Sequence, residues 1–246
     1  MNAINIRKLS ATTSTNTDLK QALAEDPTMP PTVLWAEYQS EGKGQYQRQW
    51  KSEAGKNLTF SLYWPHNQVT TDAVFLVNQV VCLALMECLR FFKLPEICIK
   101  WPNDILSGTS KLAGVLIENI FHGDRCKASI IGIGLNVNQM SFYPLVQASS
   151  MALILGKQID RVLVLNQCLT LLEKHLETLN PSCFKSIAHD YSRALFGFKK
   201  WTTVRHQNIE QSVKVKAVAS NGAIFLELES GETVEISDSK ELQWLY

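Results

Sequence analysis

The fold is decided by Lys100-Trp-Pro-Asn-Asp104, then Lys111-Leu-Ala-Gly-Val-Leu-Ile-Glu118, and then a third apolar run at 127–138. Pro102 ends the first strand, because proline cannot donate a hydrogen bond inside a sheet. The apolar pattern resumes after Lys111, and Gly123 separates it from the run at 127–138. Two apolar runs on either side of a glycine turn predict an antiparallel hairpin within a larger sheet.

Other strands and helices extend outward from this hairpin. Apolar residues alternate with other residues over 57–64, which is the period of a strand. Apolar residues recur at helical spacing over 161–179, and Pro181 ends that helix. We therefore predict strands at 3–9, 32–37, 57–64 and 97–101, and helices at 19–24, 72–92, 161–179 and 182–195.

The character of the chain changes near Gly197. Short β-segments follow one another, with turn signals at Asn221-Gly222 and Ser230-Gly231. Four or five short strands in about 50 residues are typical of a small barrel. We predict an α+β protein, with a mixed β-sheet flanked by helices in domain 1–196 and a small β-barrel in domain 197–246.

Composition narrows the class of protein. The chain has 246 residues, of which 46% are hydrophobic and 19% charged, and this supports a substantial core. A net charge of +1 predicts no general attraction to nucleic acid or to a membrane surface. The apolar stretch 72–94 contains Glu87 and Arg90, so we interpret it as a core helix. No secretory signal is evident, and six cysteines without metal-binding spacing indicate reduced thiols in a cytoplasmic protein.

A polar loop with several cations, Glu41-Gly-Lys-Gly-Gln-Tyr-Gln-Arg-Gln-Trp50, follows the strand at 32–37. Gly42 and Gly44 flank Lys43, and glycine allows a backbone to approach a phosphate closely. The loop matches neither a P-loop nor a dinucleotide fingerprint, so an ordinary surface loop is the alternative. Trp50 is either a ring that stacks on a purine or a hydrophobic plug beneath the loop.

Polar groups also follow the strand ends. Asp104 is a candidate Mg²⁺ ligand beside Asn103, although both side chains also suit a simple turn. Lys111 opens an apolar strand, where it is placed to stabilise charge shared by a carboxylate and an α-phosphate; the alternative is an ordinary loop lysine. Asn136 either reads an adenine edge or holds loop backbone.

Taken together, these stretches resemble the biotin protein ligases, which attach biotin to the carrier domains of carboxylases. The resemblance covers almost the whole chain, and its motifs occur in the order that the family shows. They are Ser14-Thr-Asn16, 36–50, Asn57-Leu-Thr-Phe-Ser61, Lys100-Trp-Pro-Asn-Asp104, Lys111-Leu-Ala-Gly114, Gly132-Ile-Gly-Leu-Asn136 and the β-rich tail. The chain looks like the short form, without the DNA-binding domain of some members.

The resemblance implies a fold related to class II aminoacyl-tRNA synthetases, with an SH3-like C-terminal barrel. ATP, biotin and Mg²⁺ would be used, a biotin carboxyl carrier domain would be the partner, and the protein would be a monomer or homodimer. Lys111 and Lys43 would be catalytic. The implied biotin contacts are Ser14, Thr15, Asn16, Gln39, Gly42, Lys43, Lys111 and Gly114. The implied nucleotide contacts are Gln45, Arg48, Trp50, Asn103, Asp104 and Asn136, with Mg²⁺ at Asp104.

The loop departs from the family pattern, which usually has arginine at positions 43 and 45. Lysine is a point charge and glutamine is neutral, whereas arginine grips a phosphate at two points. We therefore expect weaker retention of the adenylate. Two rival functions remain: a lipoate or octanoate ligase of the same fold, and a non-catalytic biotin sensor, which the altered loop favours.

Overall fold

The computed structural model describes residues 4–67, 69–145 and 147–246. Within these ranges, seven strands form one sheet, in the order β1-β2-β3-β7-β6-β5-β4. Strand β1 runs parallel to β2, and every other pair of neighbours is antiparallel, so the sheet is mixed as predicted. The strands are β1 Asn5–Leu9, β2 Thr32–Ala36, β3 Leu58–Pro65, β4 Ile97–Lys100, β5 Asp104–Ser107, β6 Ser110–His122 and β7 Arg125–Leu135. Residue 3, the first of the predicted strand 3–9, lies outside the described ranges.

The predicted central hairpin is confirmed as β6 and β7, which pair from Ala113 opposite Leu135 to His122 opposite Arg125. Strand β5 was not predicted from the sequence, which placed Asp104 after a strand end with a simple turn as one interpretation. Asp104 instead begins β5, where it pairs with Lys100 on one side and Gly114 on the other. A four-residue strand is too short to show an alternating pattern, which explains why the sequence did not reveal it.

Helices cover both faces of this sheet. Leu19 of α1 packs on one face with Leu34, Tyr63 and Ile130. Helices α2 and α4 pack together on the other face. The described helices are α1 Thr15–Glu25, α2 Phe75–Phe91, α3 Met151–Leu155, α4 Arg161–Glu177 and α5 Phe184–Ala194. Helix α3 was not predicted, because five residues are too few for helical periodicity.

The segment Thr71–Phe91 is long and apolar enough to cross a membrane by length and composition alone. In the folded chain, 78% of its most apolar window is buried inside the protein. Val77, Val80 and Leu85 within it are almost fully buried. The interpretation of this segment as a core helix is therefore confirmed.

In the described part of the chain after Lys200, five strands form an antiparallel sheet, as expected for an SH3-like barrel. They are β8 Thr202–His206, β9 Ile209–Val218, β10 Ile224–Leu228, β11 Thr233–Ile236 and β12 Leu242–Leu245. The predicted α+β class is thus confirmed. The Trp101 indole N–H donates to the Gly222 carbonyl at 2.9 Å, and one apolar core runs through both sheets. Division into domains at 196/197 stays a prediction.

Candidate active site

Two glycines of β7 form a bare patch on the sheet face that also carries α1. A Cβ atom at Gly132 would lie 2.3 Å from Asn16 Oδ1, and one at Gly134 would lie 2.2 Å from the Trp50 ring. Contacts this short are sterically forbidden, so neither position accepts a side chain without movement of its neighbour. The sequence therefore allows Asn16 and Trp50 to lie directly on the strand backbone.

An uncharged hydrogen-bonding cluster lies where the first turn of α1 meets β3. The backbone N–H and hydroxyl of Thr15 both donate to Gln39 Oε1, at 2.8 and 3.0 Å. The Thr15 hydroxyl lies 2.6 Å from Ser61 Oγ, which donates to Asn16 Oδ1 at 2.5 Å. Ser14 occupies the N-cap position and is buried. The expected biotin contacts Ser14, Thr15, Asn16 and Gln39 are thus brought together, with Ser61 added by the fold.

Glu118 and Lys20 extend this cluster and were not identified from sequence. Asn16 Nδ2 donates to Glu118 Oε2 at 2.8 Å, and Lys20 forms an ion pair with the other carboxylate oxygen. Burial acts to raise the pKa of Glu118, but the hydrogen bonds from Lys20 and Asn16 outweigh it and lower that pKa. A charged residue on the apolar strand β6 was the available signal. This signal pointed to the site only once the structure showed that β6 faces α1.

A second, charged cluster surrounds Gly114 on β6. Lys111 Nζ lies 2.6 Å from Asp104 Oδ1 and 5.7 Å from the centre of the Trp50 ring. A Cβ atom at Gly114 would lie 3.3 to 3.4 Å from Trp50, Asp104 and Lys111, so these three side chains converge on one point. The Lys111 backbone is held on both sides, by bonds to Gln147 O and from Ser149 N. This arrangement gives the Lys111 cation a fixed direction.

Lys100 is a further cation that the sequence interpretation quoted without assigning a role. Burial lowers its pKa, while Asp104 acts to raise it and the charges of Lys111 and Arg48 act to lower it. Its ammonium lies 5.7 Å from the centre of the Tyr246 ring. Lys100, Lys111 and Arg48 therefore form a local cationic region beside Asp104. Such a region attracts a polyanion despite the small net charge of the chain.

The loop from Gly42 to Trp50 folds back on itself as a narrow ribbon. Trp50 N donates to Gly42 O at 2.8 Å, and Gly44 N donates to Arg48 O at 2.7 Å. Gly42 is buried, and a Cβ atom there would lie 2.4 Å from the Trp50 carbonyl oxygen. Lys43 points toward α1, with Nζ 3.0 Å from Thr17 Oγ1. The structure thus places Lys43 beside the uncharged cluster and does not bring it to Lys111.

Three expected nucleotide contacts remain, which are Asn136, Asn103 and Gln45. Asn136 Nδ2 donates to Ser149 O at 3.0 Å, so this side chain holds loop backbone, which was one of its two predicted roles. Asn103 Nδ2 donates to Val115 O at 2.5 Å. Gln45 begins the turn at the tip of the loop. Nucleotide contact by these three residues stays a prediction.

Two expectations remain, that Trp50 stacks on a purine and that Asp104 binds Mg²⁺. The Trp50 indole N–H is buried and has no acceptor among the described residues. No group of three or more His, Cys, Asp or Glu side chains that could hold a metal ion occurs in the described ranges. A single carboxylate suits Mg²⁺ that is coordinated mainly by phosphate and water. Asp104 therefore fits a nucleotide-borne Mg²⁺ better than a metal held by protein alone.

The sequence is similar to one protein family and to several of its characterised members. The model of the biotin/lipoate A/B protein ligase family matches residues 9–136. The bifunctional ligase/repressor BirA of Bacillus spizizenii is 28% identical over 213 residues, which span 85% of this chain and 65% of that protein. The biotin–[acetyl-CoA-carboxylase] ligase of Mycobacterium tuberculosis is 31% identical over 134 residues, 53% of this chain and 48% of that protein. The chain thus spans about two thirds or less of these relatives.

Among solved structures, the biotin protein ligase from Aquifex aeolicus in complex with biotin and ATP superimposes with a TM-score of 0.76. The two chains are 24% identical, and the match covers 97% of each. At this identity the similarity establishes the fold. It supports the mixed sheet with flanking helices and the five-stranded C-terminal sheet.

Proposed function

Since the chain belongs to the biotin/lipoate A/B protein ligase family, we propose that it activates biotin with ATP and transfers the biotinyl group to a lysine of a carrier protein. One observation carries this proposal. The uncharged cluster of Thr15, Asn16, Gln39 and Ser61 lies on the same sheet face as the cationic region around Lys111. The first suits a neutral ureido ring, and the second suits a carboxylate next to a polyphosphate.

In the first step, a carboxylate oxygen of biotin attacks the α-phosphorus of ATP, and the bond to pyrophosphate breaks. Two anions must approach each other, so the site has to offset their repulsion. Lys111 would contact both the carboxylate and the α-phosphate, after exchanging its Asp104 partner for them. Lys100 and Arg48 would stabilise the negative charge on the leaving pyrophosphate. Asp104 would hold a Mg²⁺ ion that arrives with the nucleotide and neutralises part of its charge.

In the second step, an uncharged lysine amine of the carrier attacks the acyl carbon of biotinyl-5′-AMP. An amide bond forms, AMP leaves, and the amine releases a proton. Trp50, at the end of the Gly42–Trp50 loop, lies against Gly114 and Gly134, so the loop would shield the mixed anhydride from water until the carrier arrives. Lysine and glutamine hold a phosphate less firmly than arginine, so with Lys43 and Gln45 in this loop we expect faster loss of the adenylate than in family members with arginine at these positions.

A biotin carboxyl carrier domain is the proposed partner, supported by the relative named biotin–[acetyl-CoA-carboxylase] ligase. A cytoplasmic location goes with this proposal, because ATP is the second substrate. A monomer and a homodimer both remain compatible with it.

The test is biotin-dependent exchange of labelled pyrophosphate into ATP, run in parallel with lipoate and octanoate. We expect exchange with biotin, and we expect Lys111→Ala to reduce its rate by about 100- to 1,000-fold, because a charge-stabilising group is lost. Lys157→Ala is the matched control, since Lys157 is an exposed lysine that takes part in none of the contacts described for the two clusters.

Three results would contradict the proposal. Exchange with lipoate or octanoate but not with biotin would indicate the rival ligase. Tight biotin binding without any exchange would indicate a sensor. A Lys111→Ala variant with a near-normal exchange rate would remove Lys111 from the mechanism.

A further inference from the structure

The tip of the Gly42–Trp50 loop touches the C-terminal sheet. Ser239 Oγ donates to the Tyr46 hydroxyl at 3.2 Å, and Lys240 Nζ lies 4.2 Å from the centre of the Tyr46 ring. These residues are 193 positions apart in the chain. We call the segment 238–241 the docking turn. The contact therefore joins the loop of the candidate site to an element that the proposed function has not used.

Two features make Tyr46 more than an exposed aromatic side chain. Its backbone is left-handed, with φ 55° and ψ 41°, a region that residues other than Gly, Asn and Asp adopt infrequently. Its polar end and its ring are engaged by different groups, a hydroxyl and a cation. A residue held in an uncommon backbone conformation persists where surrounding contacts determine it. The docking turn supplies such contacts.

The docking turn is itself firmly held. Asp238 Oδ1 accepts from Lys240 N at 2.9 Å, and this bond, with a smaller effect of the Tyr46 hydroxyl, keeps the pKa of Asp238 below its usual value. Leu242 and Trp244 follow immediately in β12 and are buried in the shared core. A rigid turn can therefore fix the position of a loop that packs on it.

The loop transmits this position to the site. Backbone bonds between Gly44 and Arg48, and between Gly42 and Trp50, join its two arms from tip to base. Trp50 at the base lies against Gly114 and Gly134, and the charge of Arg48 acts on the pKa of Lys100. A shift of the tip therefore displaces the residues expected to face the nucleotide.

We propose that Tyr46 is a positioning residue through which the docking turn of the C-terminal sheet holds the Gly42–Trp50 loop over the nucleotide side of the site. The effect of this contact on ATP binding rests on the proposed function, whereas its effect on the mobility of the loop does not. The C-terminal sheet thus contributes to the site through a contact, without supplying a group that touches the reacting atoms.

Hydrogen exchange of the ligand-free full-length protein tests the mechanical part. In Tyr46→Ala and in Lys240→Ala, we expect the amides of residues 43–50 to exchange about two- to fivefold faster, the range that loss of one exposed cation–ring contact allows. Lys216→Ala is the matched control, because this exposed lysine lies on the same sheet and contacts Glu227 and Thr233. We expect wild-type exchange in the control and no additional effect when Tyr46→Ala and Lys240→Ala are combined.

Kinetics test the catalytic part. We expect the same variants to raise KM for ATP about two- to fivefold in pyrophosphate exchange, with kcat and the thermal midpoint close to wild type. Unchanged loop exchange in Tyr46→Ala, or fully additive effects in the double variant, would overturn the inference. A wild-type protein without exchange activity would count against the proposed function, but the hydrogen-exchange result would still decide the role of Tyr46.

Discussion

At the residue scale, Gly132 and Asn16 show how a missing side chain builds a site. Asn16 is buried, donates to Glu118 and accepts from Ser61, so its amide is fixed in one orientation. This orientation exists because Gly132 leaves the space that the amide oxygen occupies. A pocket that recognises a neutral polar ring needs such fixed donors and acceptors, since an unpaired buried group on either partner weakens binding.

Gly132→Ala is therefore expected to weaken biotin binding. The added methyl group would lie 2.3 Å from Asn16 Oδ1 and force the amide away from Ser61 and Glu118. We expect the dissociation constant, measured by titration calorimetry, to rise about 10- to 100-fold through loss of one or two hydrogen bonds. In an Asn16→Ala background the clash is absent, so there the same substitution should change affinity little. Wild-type affinity in Gly132→Ala would contradict the assignment of this cluster to biotin.

At the scale of elements, the strands of the central sheet and helix α1 bring together residues from distant segments, while α2 and α4 support the opposite face of the sheet. Helix α4 illustrates the support. Asp160 precedes its first turn, and Asp160 Oδ1 accepts from Val162 N at 2.8 Å and Leu163 N at 3.4 Å. An oxygen that satisfies the free N–H groups of a first turn stabilises a helix. The cap therefore stabilises the helix that packs on α2 behind the sheet.

Asp160→Ala should lower the free energy of unfolding by about 1 kcal/mol, the usual contribution of an N-cap. Urea denaturation monitored by circular dichroism measures this change. Asp160→Asn is the matched control, because an asparagine oxygen can still accept from the same two N–H groups. Equal destabilisation by both substitutions would mean that the charge of Asp160, and not the cap, is what matters.

At the scale of the whole molecule, one buried histidine links stability to pH. His66 Nε2 lies 2.8 Å from Ser129 Oγ, and the Ser129 hydroxyl donates to Asn119 Oδ1 at 2.7 Å. The serine oxygen is thus left to accept from a neutral imidazole. Burial lowers the pKa of His66 from 6.5 to about 4. The folded protein therefore favours the uncharged ring.

Because its pKa is lowered in the folded state, His66 makes the protein less stable as the pH falls. Above pH 6.5 neither the folded nor the unfolded chain protonates this ring, so its contribution to stability is complete. Between pH 6.5 and about 4 the unfolded chain binds a proton that the folded chain does not, and stability falls. We expect a loss of about 3 kcal/mol across this range. Urea denaturation at several pH values should show a smaller loss for His66→Gln, and an equal loss in both proteins would contradict this role.

The sequence by itself determined the α+β class, the β6–β7 hairpin, the core helix α2 and the main polar residues of the candidate site. Local patterns record them: apolar runs on either side of Gly123 for the hairpin, the apolar stretch 72–94 for α2, and short motifs such as Lys111-Leu-Ala-Gly114 for the site. Local periodicity is enough for them, because burial of one face of a strand or helix imposes its period on the chain.

The tertiary structure alone decided which side chains meet. Glu118 lies in the candidate site because β6 faces α1, and Lys100 lies beside Asp104 because β4 and β5 pair. Lys43 contacts Thr17, and not the region around Lys111, because the loop folds onto α1. The contact of Tyr46 with Ser239 depends on how the two sheets pack. A sequence pattern reports the environment of a residue within its own element. Contacts between distant elements arise only when the whole core assembles.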